Sequence, residues 1–136
     1  MQDRIKEAEQ IIQTFQNAPK YHFRTLKPSQ LENGLAVVYA ITNQTTGEVL
    51  YVGRTKNLRR RLYTNHLMGP KTNARLKKYL VEDPGQPEIA DMAAAKEYLK
   101  EHCYFQFIPV ADMVERGRIE GLLSYLLNVK YIHEEH

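Results

Sequence analysis

The sequence predicts an α+β fold: a small three-stranded antiparallel sheet flanked by helices, with an extra helix at the N-terminus. Three observations carry that expectation. Two β-rich runs, residues 37–42 and 49–52, are separated by the polar stretch 43–48, whose Gly47 can take a positive φ at no steric cost. A third run, CYFQFIPV at 103–110, alternates at the period of a strand. The longer segments before, between and after these runs carry apolar residues at helical spacing. A chain of 136 residues, 43% of them hydrophobic, suits one domain with its own core.

Taken in order, Ile5, Ala8, Ile11, Ile12 and Phe15 mark an amphipathic helix over 3–15, which Asn17, Ala18 and Pro19 end. Residues 20–33 are polar and aromatic, announce no chemistry, and are expected to pack on the body. The hairpin sets Tyr39 and Tyr51 on adjacent antiparallel strands. Gly53 breaks the second strand, and Asn57 caps a helix carrying Arg59, Arg60 and Arg61. On that helix Leu62 follows Leu58 at i+4, with Arg61 and Asn65 on the neighbouring line. Met68, Gly69 and Pro70 break it. Thr72 or Asn73 caps a further helix ending near Val81, with Leu76, Tyr79 and Leu80 as its apolar stripe. Two prolines and a glycine make 82–87 a loop, and Met92, Ala95, Tyr98 and Leu99 predict a helix within 89–102. Pro109 pushes the end of the third strand toward an edge. Asp112 then caps a last helix bearing Val114, Ile119, Leu122, Leu123, Leu126 and Leu127. The parts are thus an extension (1–33), a core (34–66), a helical insert (69–102), and a third strand with the final helix (103–130).

A net charge of +3 conceals an asymmetry. Residues 49–81 hold nine Lys or Arg and no Asp or Glu, while the remainder holds ten basic against sixteen acidic residues. Such a block points a localised field at a polyanion, and phosphate is the obvious one. A merely solvated helical face is the alternative, although such faces usually carry both signs. Arg59, Arg60, Lys71, Arg75, Lys77 and Lys78 are the candidate nucleic-acid contacts. The chain holds no apolar run long enough for a membrane span and no signal-peptide pattern. Cys103 is the only cysteine, so neither an intrachain disulfide nor a cysteine zinc site can form, and a reducing, cytoplasmic setting is expected.

Val37-Val38-Tyr39, then Tyr51-Val52-Gly53, then Arg54 and Arg61 resemble the core of the GIY-YIG nuclease family. Arg61 lies ten residues after Tyr51, as the family's arginine does after its second tyrosine. The resemblance is strongest over 35–66 and resumes near Glu120. It implies metal-dependent endonucleolytic hydrolysis of DNA, by one Mg²⁺ or Mn²⁺ ion and in-line attack of water, in a monomer or homodimer. Tyr39 or Tyr51 would orient or deprotonate the water. Arg54 and Arg61 would clamp the phosphate and ease ionisation of a phenol whose free pKa is about 10. Glu120 would hold the metal, because the family's metal-binding Glu lies early in a helix after the third strand. From the residues alone, Glu120 reads first as a carboxylate paired with Arg116 or with the basic helix, and each tyrosine as core packing; the resemblance reverses that order for Glu120.

Three positions depart from the family pattern. Asn65 stands where many members have His or Tyr four residues after the arginine, and an amide cannot act as a base. His66 takes that role only if it turns into the site from the next position, about 100° away on an α-helix. Ile132, with His133 beside it, stands where an Asn often closes the final helical region, and Val37 replaces the first Gly. A noncatalytic nucleic-acid binder on the same scaffold is therefore the second reading. A protein-interaction module whose tyrosines and leucines are all core is the third.

Overall fold

The computed structural model describes residues 1–72 and 74–132. Strands β2 (Val37–Asn43) and β3 (Val49–Thr55) pair antiparallel, with Tyr39 opposite Gly53 and Ile41 opposite Tyr51. Their turn forms as its residues dictate. Gly47 takes φ 77°, and the Asn43 side-chain oxygen accepts from the backbone N–H groups of Thr45 and Thr46. Strand β4 (Cys103–Pro109) pairs with the other side of β2, so β2 is central and buried along its whole length. A fourth strand, β1 (Tyr21–His22), pairs with β4 and completes the order β1-β4-β2-β3. The sequence predicts three strands because a two-residue strand is too short to show a period.

Alternation divides the sheet residues between two faces. Val37, Tyr39, Ile41, Tyr51 and Phe105 pack on one face with Phe23, Leu31, Leu58, Leu62, Leu76, Leu80 and Leu99. Val38, Ala40 and Ile108 pack on the other with Phe15, Ile119 and Leu123. The second face is covered by α1 (Gln2–Gln16) and α4 (Met113–Leu126). The first is covered by the segment after β3, by α2 (Arg75–Glu82) and by α3 (Met92–His102). Gln106, a buried amide on the α1 side, donates to the carbonyls of Phe15, Gln16 and Ala18 and so closes the C-terminal end of α1. The N-terminal half of α1 overhangs, with Ile5 51% exposed.

Caps placed several boundaries where expected. The Asp112 carboxylate accepts from the Glu115 N–H, and the Asn57 side chain accepts from the Arg60 N–H. Helix α3 starts later than the pattern predicts, because the Asp91 carboxylate caps it by accepting from Ala94 N–H; Ile89 is buried ahead of it. Helix α2 likewise begins at Arg75 rather than beside Thr72, with Ala74 before it. Asn73 and His133 lie outside the described residues. The largest difference follows Leu58: Arg60–Leu67 is a π-helix, not an α-helix. Its signature is the i→i+5 bond from Met68 N–H to the Tyr63 carbonyl, 3.0 Å.

Candidate active site

Strand β3 lies at the sheet edge, and residues from both faces meet around it. Tyr51 and Tyr39 point to the face under the π-helix, their ring centroids 6.2 Å apart. Tyr39 can lie across β3 because its partner Gly53 has no side chain; a Cβ there would come within 2.6 Å of the Tyr39 Cζ. Arg54 points to the opposite face, toward α4. Its guanidinium occupies the space that a Cβ on Gly117 would fill, and its Nε lies 3.9 Å from Glu120 Oε1. Arg116, the alternative partner for Glu120, instead donates to the carbonyls of Val110 and Ala111.

The two phenols are not equivalent. Tyr39 is fully buried, and its hydroxyl lies 2.7 Å from His66 Nε2. Tyr51 is 7% exposed and lines a cavity of about 180 Å³ together with Val52, Arg75, Glu120 and Ser124. Burial raises the ionisation of Tyr39 well above the ordinary phenol value; the Tyr51 ring adds to this and Arg61 opposes it. Burial also raises Tyr51, against the pull of Arg75 and then Arg61. The arginines therefore offset the desolvation of the phenols without overcoming it.

His66 is buried, although Asn65 occupies the position four residues after Arg61. It lies four residues after Leu62, on the buried line that Leu58 and Leu62 begin, while Asn65 is half-buried beside it. Its ring meets Tyr51 edge-on at 5.1 Å and Tyr39 at 5.5 Å between centroids. Burial, reinforced by Arg61, Lys77 and Arg75, lowers its pKa to about 3. His66 is thus neutral, and its Nε2 either accepts the Tyr39 proton or donates to the phenol oxygen. His66 Nδ1 and Arg61 Nε are both buried without a protein partner among the described residues.

This buried imidazole fixes a pH dependence. Its folded pKa lies below the unfolded value of 6.5, so the unfolded chain binds more protons between the two. Stability should be unaffected by this group above pH 6.5 and fall as pH drops from 6.5 toward 3, by up to about 1.4 kcal/mol per pH unit. Urea unfolding across that range should show a shallower acid loss for His66→Gln than for the natural protein. Parallel curves would show that His66 does not titrate in this way.

The candidate phosphate contacts separate. Arg60, Lys71, Arg75 and Lys78 are exposed. Arg59 is half-buried, with Nε donating to the Leu31 carbonyl at 2.9 Å. Lys77 departs from the expectation outright. It is buried, donates to the Leu67 carbonyl at 2.8 Å at the end of the π-helix, and burial lowers its pKa to about 8. Its ammonium is committed to a helix end and leaves the basic face. Arg75 is the converse case: its place in the acid-free stretch marked it as a peripheral contact, yet it lines the same cavity as Tyr51 and Glu120.

The family model for the GIY-YIG catalytic domain matches residues 35–106, more than half of the chain. The chain belongs to the GIY-YIG family, a family of nuclease domains. No curated protein and no solved structure matches it. The match covers the sheet core, the π-helix and the insert, and stops before α4, so Glu120 is joined to the site by geometry. Burial raises the Glu120 carboxyl, opposed first by Arg54 and then by Arg75. Members of the family are generally metal-dependent. The described residues hold no group of three His, Cys, Asp or Glu side chains that would cage an ion. A single partly exposed carboxylate in an open cavity instead fits a hard cation that keeps its waters and takes phosphate oxygens as further ligands. No helix among the described residues is long and apolar enough to cross a membrane.

Proposed function

We propose that this protein is a metal-dependent endonuclease that hydrolyses phosphodiester bonds of DNA. The observation that carries the reading is the shared lining of one cavity by a phenol, a guanidinium and a carboxylate: Tyr51, Arg75 and Glu120. Glu120 would hold one Mg²⁺ or Mn²⁺, which when bound stabilises charge on the phosphate and the leaving oxygen. Tyr51, the phenol that reaches the cavity, orients the attacking water through its hydroxyl. Tyr39 and His66 stand behind it as positioning groups: Tyr39 stacks on the Tyr51 ring, His66 meets it edge-on, and the 2.7 Å hydrogen bond holds the two to each other. Arg61 and Arg75 supply positive charge toward the phenols, and Arg54 steadies Glu120 from across α4.

Conversion of supercoiled plasmid to nicked circles, with Mg²⁺ or Mn²⁺ and then with EDTA, tests the proposal. Cleavage that appears with the metal and stops with the chelator is expected. Binding to DNA that weakens steeply with salt, without cleavage under either metal, would instead establish the noncatalytic reading, for which Asn65 and Ile132 give specific cause.

A further inference from the structure

A second, larger depression of about 840 Å³ adjoins the catalytic cavity. The two share Arg75, Tyr131 and Ile132 in their linings, so they adjoin along these residues. We infer that this groove binds the DNA strand flanking the scissile phosphate, with Lys71 and Lys78 on its phosphates and Arg75 at the junction with the catalytic cavity. The inference rests on the nuclease reading of that cavity.

Charge placement supports it. Arg75 and Lys78 are exposed and three residues apart on α2, which puts them on one side of that helix, and Lys71 approaches from the preceding turn. Lys77 alone of the basic residues on α2 turns inward, so the helix directs its exposed cations to the groove. The opposite end is acidic, with Glu82 and Asp83. Lys130 offsets Asp83 only in part, because its ammonium stands 3.8 Å from both Glu48 and Asp83. A polyanion is thus drawn to the end that opens onto Tyr51 and Glu120. The wall is fixed by Tyr79 and Tyr131, stacked at 5.9 Å, with the Tyr131 hydroxyl donating to Asp83 at 2.6 Å. Arg75 is also the strongest cationic influence on Tyr51. A phosphate held at the junction would therefore sit within the field that acts on the phenol.

The test is fluorescence anisotropy of a labelled DNA duplex in EDTA at several KCl concentrations. Each lysine–phosphate contact contributes close to one unit to the slope of log K against log salt, so Lys71→Glu/Lys78→Glu should flatten the slope by about 2. Arg4→Glu/Lys6→Glu, the same charge change on the overhanging end of α1, should leave the slope unaltered. Equal effects from both double variants, no effect from either, or no DNA binding by the natural protein would each overturn the inference. Failure of the nuclease reading looks different: no cleavage with any metal, but a slope that still depends on Lys71 and Lys78.

Discussion

Replacing Glu120 by alanine is expected to lower metal-dependent DNA cleavage by on the order of 10³-fold, about 4 kcal/mol of transition-state stabilisation. Among the described residues Glu120 is the one carboxylate lining the cavity with Tyr51 and Arg75. Folding should not suffer. Burial already disfavours the charged carboxylate, and its ion pair with Arg54 is long, 3.9 Å, and half solvated. Initial nicking rates for Glu120→Ala and Glu120→Gln, alongside thermal melts, separate lost chemistry from lost structure. DNA binding in EDTA should persist or tighten, since a negative charge leaves the surface that meets phosphate. A well-folded Glu120→Ala protein that cuts within about threefold of the natural rate would remove Glu120 as the metal ligand.

The features legible in the sequence are those set by local rules. The β2–β3 hairpin, the caps at Asn57, Asp112 and the end of α1, and the alternation of β4 each depend on residues within a few positions of one another. Tyr39 and Tyr51 fall on adjacent strands for the same reason. What escaped the sequence depends on tertiary partners. Lys77 lies in a run of basic residues that looks uniformly solvated, and only the packing of α2 against the π-helix decides that its ammonium finds the Leu67 carbonyl. Arg75 reads from the sequence as one more nucleic-acid contact, but its position beside Tyr51 follows from the insert folding back over the edge strand. Nothing in the local pattern singles out Gly117, although its missing side chain makes room for the Arg54 guanidinium. The assignment of the two phenols was also open in sequence, because burial alone tells Tyr39 from Tyr51.

His66→Phe is expected to reduce cleavage by about a hundredfold, whereas Asn65→Ala should change it less than about twofold. The family pattern gives the opposite ranking, since it puts the functional side chain at residue 65, four after Arg61. Within Arg60–Leu67 it is instead the His66 imidazole that reaches the Tyr39 hydroxyl and the edge of the Tyr51 ring. Phenylalanine keeps the bulk but leaves the Tyr39 hydroxyl buried without a partner, at a cost of about 1–3 kcal/mol. A ring displaced by even an ångström can cost two orders of magnitude when it positions a reacting group. His66→Gln retains a side-chain amide able to meet that hydroxyl and should recover much of the rate. A structural role alone would track stability: the rate loss would vanish once each variant is assayed well below its melting temperature. Loss that persists there, rescue by glutamine, and indifference at Asn65 would together mean that His66 supplies the family's missing side chain one residue along the chain. Equal sensitivity at both positions would mean that His66 does not stand in for residue 65.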